Sequence, residues 1–426
     1  MTIRFFKKTI ITVISFLIFF VCTNIAFSST ADELKQKIDS ATAGKKALED
    51  EIAQFQAQIK EIGTQANTLA NAIKTLDANV AKVNTDIKLT KKNIELKELE
   101  IKQITIDIGQ KENNIEKNIS AIGESIKGMN DADSESLIEN LLKYNDMSDF
   151  WSKIEYDSQF QNSLKDNVIE TQNIKKNLEI DKKETESSRK ALLAYQNDLN
   201  DQKKILQISK DEKNKLLLET KNKESNYKKI LADKQALSDA FDKELAQFES
   251  ELKFVIDPNS YPKSGAGILS WPIDIVYITQ KFGYTDFAKG AKIYTGDFHN
   301  GVDFRATIGT KIKATLSGTI EAIGNTDTVC PGASFGKWVF IRHNNGLASL
   351  YAHLSLIKVS KGDQVYTGDV IGYSGNTGFS TGPHLHFTVY ANQGVEVVSK
   401  KSVVCKGTYT LPVADSKAYL DPLLYL

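Results

Sequence analysis

Proline is missing from the first 257 residues of this 426-residue chain, and all seven prolines occur from Pro258 onward. Proline is typical of turns, edge strands and helix starts. Its absence over such a length excludes a domain made of short strands and tight turns. The N-terminal half is therefore predicted to be long helix, and the total length allows two or three domains.

The chain also lacks net charge, because 54 basic residues are balanced by 54 acidic residues. No strong positive field is available to draw the protein onto nucleic acid, so nucleic acid is not an expected partner. Lysine far outnumbers arginine. The planar guanidinium groups that clamp phosphates through two hydrogen bonds are therefore scarce.

The first 28 residues have the composition of a targeting signal. Arg4, Lys7 and Lys8 form a basic start, and residues 9–22 are an apolar run too short to span a membrane comfortably. Small residues follow at the positions that a signal peptidase reads. We predict a signal peptide at 1–28 and export to the periplasm or cell envelope, with an uncleaved anchor as the alternative.

Cysteine is rare, with three residues in all, of which Cys330 and Cys405 would remain after removal of the signal. An even number of cysteines in an exported chain indicates a disulfide. Neither cysteine lies near the histidine cluster in sequence and no CxxC pair is present, so a cysteine metal site is not expected. Two free thiols are the alternative to the disulfide.

Apolar residues in the first helical segment recur at alternating spacings of four and three. Twelve successive positions follow this pattern without a miss: Leu48, Ile52, Phe55, Ile59, Ile62, Ala66, Leu69, Ile73, Leu76, Val80, Val83 and Ile87. A period of 3.5 residues is typical of a left-handed coiled coil. We predict one helix from about residue 31 to residue 128, within a coiled-coil region that spans residues 29–255.

A break at residues 127–131, which include Gly128 and Asn130, fits the end of that helix. The aromatic-rich stretch that follows is predicted to form a tip of short helices near 130–160, with a partner-docking patch as the alternative. A second helical run from 161 to 255 should fold back antiparallel on the first. Pairing between two chains is the alternative to this intramolecular hairpin.

Residues 256–267 contain the first prolines together with glycine and serine, which predicts a linker. From residue 268 to 426, short β-branched runs alternate with glycine-containing turns, which indicates a small all-β domain. All five histidines lie in this domain: His299, His343, His353, His384 and His386.

The spacing of these histidines predicts a metal site. His384 and His386 alternate along a strand-like run, so both imidazoles can face the same side. His299 and Asp303 are four residues apart in an extended segment, which also puts them on one side. Two histidines and a carboxylate, with a fourth position left for water, form a catalytic zinc arrangement. Zinc makes bound water acidic and polarises a carbonyl, and a neighbouring imidazole can carry the proton.

Three separated motifs resemble those of the M23 (lysostaphin/LytM-type) zinc endopeptidases. They are His299-Asn300-Gly301-Val302-Asp303, Tyr351-Ala352-His353-Leu354 and Thr381-Gly382-Pro383-His384-Leu385-His386-Phe387. The resemblance covers about residues 268–392. It implies a fold in which a long antiparallel coiled-coil helical hairpin is followed by a small antiparallel β-sheet M23 peptidase domain at 268–426.

The same resemblance implies that Zn2+ is bound by His299, Asp303 and His386. It implies that His353 and His384 flank the metal-bound water as catalytic residues. His343 is expected to be structural or to support the site without binding metal, and Tyr294 is a candidate for an oxyanion-stabilising hydroxyl.

Two stretches depart from the compact family pattern and resemble loop insertions, namely residues 325–335 with Cys330 and residues 396–413 with Cys405. A disulfide between Cys330 and Cys405 would join them.

The order of signal, coiled coil and M23 domain resembles that of EnvC-type division proteins, which generally lack the zinc ligands and activate amidases.

Because all the ligands are present here, the resemblance implies a zinc-dependent peptidoglycan endopeptidase, regulated through its coiled coil in cell division or wall remodelling. A non-catalytic activator of murein amidases is the alternative. A membrane division complex of the FtsEX type is the partner that this resemblance implies for the coiled coil.

Overall fold

The computed structural model describes residues 34–59, 68–132, 147–251, 263–284 and 298–426. The chain divides into two compact units. The first comprises Met1–Ala47 and Leu89–Leu199, and the second comprises Leu48–Lys88 and Asn200–Leu426. Among the described residues, no helix is both long enough and apolar enough to cross a membrane. The predicted signal at 1–28 and Tyr294 lie outside these residues.

Four helices precede the β domain in the described part of the chain: α1 at 34–59, α2 at Leu69–Ala132, α3 at Met147–Thr220 and α4 at Glu224–Glu251. In the first unit, Lys111 Nζ of α2 lies 2.6 Å from Asp181 Oδ2 of α3. Further along α2, Asn118 Nδ2 donates to Thr171 Oγ1 at 3.1 Å. Residue numbers rise along α2 as they fall along α3, so the predicted antiparallel helical hairpin is confirmed.

The prediction of one continuous helix from residue 31 to 128 is wrong. A Cβ atom on Gly44 of α1 would lie 3.4 Å from Cε of Lys92 on α2. In one straight helix these residues would be about 70 Å apart. The first helix therefore packs back against the second. The 3.5-residue period identifies which helix face is apolar, but it does not identify the element that buries this face.

The predicted tip of short helices near 130–160 is also wrong in its second half, because α3 begins at Met147 and continues without interruption. Its first turns expose large apolar side chains, including Trp151 (61% exposed) and Tyr156 (67% exposed). The second helical run is interrupted after Thr220, where Lys221 and Asn222 have positive φ angles of 48° and 55°. This left-handed turn separates α3 from α4.

Fourteen strands follow in the described residues: β1 Ile278–Gln280, β2 Gly283–Tyr284, β3 Phe298–His299, β4 Val302–Arg305, β5 Lys311–Lys313, β6 Gly318–Asn325, β7 Lys337–His343, β8 Leu347–Ile357, β9 Gln364–Val365, β10 Val370–Ser374, β11 His384–Ala391, β12 Val395–Lys401, β13 Thr408–Ala414 and β14 Tyr419–Leu420. Ten of them form one sheet with the central order β1-β4-β11-β8-β7-β6-β9. Strands β5, β10 and β14 attach to this path, while β2–β3 and β12–β13 form separate two-stranded sheets. The predicted antiparallel β domain is confirmed.

The large sheet has a hydrophobic core on each of its faces. Alternate residues of each strand point to opposite sides, so one strand contributes to both cores. Val339 and Ile341 of β7 contribute to one hydrophobic core, whereas Trp338 and Phe340 contribute to the other. The second core includes Phe241 of α4, whose side chain is 0% exposed. Burial of such a side chain contributes roughly 2–3 kcal/mol, which fixes α4 on this face of the β domain.

The predicted disulfide between Cys330 and Cys405 is confirmed, and the Cα atoms of the two cysteines lie 5.3 Å apart. It joins the residue 325–335 segment, called here the 325–335 loop, to the turn between β12 and β13. The stretch at 396–413 is a β-hairpin and not an irregular loop, because β12 and β13 pair antiparallel. Val395 of β12 and Tyr409, Leu411 and Val413 of β13 are buried in the second core.

Candidate metal centre

The central strand β11 directs His384 and His386 toward the same face of the sheet. Its register sets His386 opposite Asp303 of β4 and His384 opposite Arg305. The intervening Leu385 is 0% exposed and belongs to the core. The two-residue repeat of a strand thus brings both imidazoles to one site, as the sequence predicts.

His299 reaches the same site from a different strand. It ends β3, and the chain bends at Gly301 before β4 begins, so the predicted extended segment from His299 to Asp303 is interrupted, although both side chains reach one site as expected. A Cβ atom on Gly301 would lie 2.6 Å from the carbonyl oxygen of Phe387. Only glycine allows this close approach to β11.

Three ligand atoms meet at this point. Nε2 of His299 lies 3.1 Å from Nδ1 of His386 and 3.3 Å from Oδ1 of Asp303. The third side of the triangle, from His386 Nδ1 to Asp303 Oδ1, is 2.9 Å. Ligand atoms bound to a tetrahedral zinc ion at its usual distances are about 3.3 Å from one another. The donor set and its spacing therefore fit zinc.

Hydrogen bonds on the far side of each imidazole fix which nitrogen is available. His299 Nδ1 donates to the carbonyl oxygen of Lys281 at 2.9 Å, so its Nε2 carries the lone pair. His386 Nε2 lies 2.9 Å from the hydroxyl of Thr388, which frees Nδ1 for metal. Partners of this kind orient metal-binding histidines and set their tautomer.

Two further histidines lie beside the three ligands. His353 Nδ1 donates to the carbonyl oxygen of Thr377 and His384 Nδ1 donates to that of Gly382, each at 2.8 Å. Both residues therefore keep a lone pair on Nε2, the nitrogen that can accept a proton. Their ring centroids are 4.6 Å apart, and His384 Nε2 lies 3.8 Å from Asp303 Oδ1.

Residues 297–398 match the model of "Peptidase family M23". This part of the chain is a peptidase family M23 domain. The DD-carboxypeptidase/endopeptidase Mpg of Neisseria meningitidis is 38% identical over 149 residues, which cover 35% of this chain and 31% of that protein. Lysostaphin of Staphylococcus staphylolyticus is 39% identical over 112 residues, or 26% of this chain and 22% of that protein. The chain thus spans less than a third of the length of these relatives.

Among solved structures, the catalytic domain of the antimicrobial peptidase lysostaphin from Staphylococcus simulans is 30% identical to this chain, with a TM-score of 0.26. The match covers 35% of this chain and 90% of that one.

The charges in the M23 domain site are arranged to keep the carboxylate ionised. Burial alone would raise the pKa of Asp303, but the charge of His384 and hydrogen bonds from His299 and His386 hold it well below its usual value. Burial, reinforced by His384 and His386, lowers the pKa of His353 well below its usual value. His353 is thus neutral at neutral pH.

The fifth histidine, His343, lies away from this cluster. Its Nδ1 lies 3.1 Å from the carbonyl oxygen of Ser317 and its Nε2 lies 2.8 Å from the hydroxyl of Ser349. Burial lowers the pKa of His343 to about 4, so it is a neutral, hydrogen-bonded residue of the sheet. The structure does not bring it to the metal ligands.

Several residues around the site carry no signal in the sequence. The ring of Phe335, in the 325–335 loop, stacks on the imidazole of His386 with centroids 6.0 Å apart. Helix α4 supplies Ser238, Asp242 and Glu249 to the wall of a cleft of about 520 Å³ that also contains the histidines. A heptad pattern shows that α4 has an apolar face, but it does not show that this helix lies beside a peptidase cleft.

Proposed function

We propose that this protein is a zinc-dependent endopeptidase that hydrolyses peptide cross-links of peptidoglycan. The observation that carries the proposal is the convergence of His299, Asp303 and His386 beside a cleft that is lined by Asp303, His386 and two imidazoles with available Nε2 atoms. Relatives named as an endopeptidase and as lysostaphin support a wall peptide as the substrate. Export through the predicted signal would bring the protein to the wall.

The two remaining histidines divide the proton transfers of hydrolysis between them. Zinc held by the three ligands would polarise the scissile carbonyl and lower the pKa of an attacking water. His353 and His384 present Nε2 lone pairs beside the ligands, so one can accept the proton of that water and the pair can deliver it to the leaving amine. The Asp303 carboxylate stays ionised, and His384 Nε2 lies 3.8 Å from its Oδ1 atom.

The test is digestion of purified cell wall by the mature full chain, with zinc content measured in parallel. His386→Ala is expected to lose both zinc and muropeptide release, because it removes a ligand. His353→Ala is the matched variant, since it removes an imidazole that is not a ligand and should keep zinc while losing cleavage. Undiminished cleavage by His386→Ala would exclude the proposal.

Regulation through the helical region is part of the proposal, and α4 supplies its physical basis. Phe241 packs edge-to-face on Tyr409 with ring centroids 4.9 Å apart. The Glu244 carboxylate accepts from Val403 N at 2.9 Å, and that of Glu249 accepts from the Tyr419 hydroxyl at 2.7 Å. The helix is thereby held along the cleft, where it restricts the space open to an extended wall peptide.

We propose that release of α4 from these contacts opens the cleft to its substrate. A membrane division complex of the FtsEX type, acting on the helical hairpin, is the partner that the sequence suggests for this release. A role in cell division or wall remodelling follows from that partner, and the expected location is the periplasm or cell envelope.

A further inference from the structure

The peptide unit between Thr377 and Gly378 forms a hydrogen bond through its carbonyl group and another through its amide. The carbonyl oxygen of Thr377 accepts a hydrogen bond from His353 Nδ1 at 2.8 Å. The amide of the same peptide unit belongs to Gly378, and it donates to Oδ2 of Asp327 at 2.8 Å. A continuous chain of hydrogen bonds therefore runs from the Asp327 carboxylate through the peptide unit to the imidazole.

The planarity of the peptide bond makes this chain mechanically stiff. Fixing the N–H of Gly378 also fixes the direction of the Thr377 carbonyl, because both groups lie in one plane. A hydrogen bond from an amide to a carboxylate is charge-assisted and stronger than a neutral one. It also polarises the peptide unit, so the carbonyl becomes a better acceptor for the imidazole N–H.

The Asp327 side chain is itself firmly oriented. Its second oxygen, Oδ1, accepts from Gly332 N at 2.8 Å, and its backbone N–H donates to Oδ1 of Asn325 at 3.1 Å. The 325–335 loop is further anchored by the Cys330–Cys405 disulfide. Asp327 therefore offers Gly378 an acceptor at a fixed position.

The two loops approach each other so closely that their backbones are in contact. Gly378 has a φ angle of +70°, and a Cβ atom there would overlap Ser334 O and the backbone of Gly336. Phe379 N donates to Ser334 O at 2.8 Å. Phe335 O in turn accepts from His353 N at 2.9 Å, although His353 has the unfavourable φ angle of +59°.

We propose that Asp327 is a positioning residue for His353, which acts through the Thr377–Gly378 peptide unit to fix the orientation and the tautomer of the imidazole. It does the work that a directly bonded carboxylate does for histidines in other hydrolytic sites. The functional consequence rests on the proposed endopeptidase activity, whereas the effect on the tautomer does not. The residue lies in the 325–335 loop, where this chain departs from the compact family pattern.

The decisive experiment uses the zinc-loaded full chain labelled with ¹⁵N-histidine, because only five histidines contribute signals. Spectra that correlate ring nitrogens with ring protons distinguish the Nδ1–H from the Nε2–H tautomer, and the His353 signal is assigned by its absence in His353→Ala. In the wild type we expect His353 to carry its proton on Nδ1. In Asp327→Ala we expect loss of that single tautomer, with zinc content unchanged.

Two further variants separate positioning from general damage to the loop. Asp327→Asn keeps one acceptor oxygen for Gly378 N while its NH2 group replaces the acceptor of Gly332 N, and it is expected to retain the Nδ1–H tautomer. Thr328→Ala removes a hydrogen bond within the same loop, from Thr328 Oγ1 to Asn325 O, without touching Gly378, and should leave the His353 signal unchanged. An unaltered His353 signal in Asp327→Ala would overturn the proposal.

Kinetics of wall cleavage give a second readout. Asp327→Ala should lower kcat by about tenfold, a size typical of supporting groups in metal sites, with KM unchanged. The residual cleavage rate of His353→Ala should not fall further when Asp327→Ala is added, whereas a further tenfold loss would contradict a role through His353. If the spectra behave as expected but the wild type cleaves no wall, the proposed function fails and the positioning role stands.

Discussion

The hydroxyl of Thr388 lies 2.9 Å from Nε2 of His386, two residues earlier on the same strand. Both side chains are buried and face the same side of β11. With Nδ1 of His386 directed at Asp303 and His299, this hydroxyl is the acceptor for the proton on Nε2. The strand therefore supplies both a candidate metal ligand and the group that orients it.

We expect Thr388→Val, which keeps the shape of the side chain but removes the hydroxyl, to weaken zinc binding by about 10- to 100-fold. Competition with a chelator of known affinity measures this change. Thr388→Ser keeps the hydroxyl and should bind zinc nearly as well as the wild type. Equal affinities for the Val and Ser variants would mean that the hydroxyl does not support His386.

Release of α4 is expected from Phe241→Ala, because this fully buried ring packs on Tyr409 in the second core. Loss of a buried phenylalanine typically costs roughly 3–5 kcal/mol. If α4 restricts the cleft, the variant should release muropeptides faster than the wild type, and limited proteolysis should cut α4 sooner. Lys243→Ala, at an exposed position of the same helix, is the matched control.

A cleavage rate that stays the same or falls in Phe241→Ala, while proteolysis shows that α4 is released, would exclude α4 as a restraint on the cleft. The M23 domain would then be active with the helix in place. The proposed endopeptidase activity itself would be unaffected by that result.

The disulfide between Cys330 and Cys405 closes a sequence separation of 75 residues. Loop-closure entropy predicts that removing such a link lowers the free energy of unfolding by about 2–5 kcal/mol. The double variant Cys330→Ser with Cys405→Ser should show this loss in denaturant unfolding. Dithiothreitol should destabilise the wild type and leave the double variant unchanged, and a wild type that does not respond would contradict the expectation.

The residues of the candidate metal site could be predicted because their spacing reflects local geometry. His384 and His386 alternate along one strand, so the sequence alone indicates that both point the same way. His299 lies beside Asp303 and His386 as expected, but the reason given by the sequence is incomplete. The chain bends between it and Asp303 because Gly301 packs against Phe387, and a single sequence does not reveal that approach.

Asp327 and Phe241 could not be assigned from the sequence, since their partners are distant along the chain. Asp327 binds an amide 51 residues away, and its loop has no regular period. Phe241 belongs to a helical pattern that fits many buried faces equally well, and only the fold brings it to Tyr409. Likewise, the heptad spacing does not distinguish a helix that continues past residue 59 from one that folds back.

Stability should fall in mild acid, and His343 provides a defined part of this effect. Burial lowers its pKa from 6.5 to about 4 in the folded protein. Between these two values the unfolded chain binds a proton on His343 and the folded chain does not. Stability therefore rises with pH across this window and is lost as pH falls from 6.5 toward 4.

Denaturant unfolding at several pH values between 7 and 4 measures this dependence. One proton taken up only by the unfolded chain changes the free energy of unfolding by about 1.4 kcal/mol per pH unit. We expect His343→Gln to be less stable than the wild type at pH 7, because it loses bonds to Ser317 and Ser349. Its pH dependence should nevertheless be shallower by up to that amount. Parallel pH profiles for the two proteins would show that the pKa of His343 is the same in the folded and the unfolded chain.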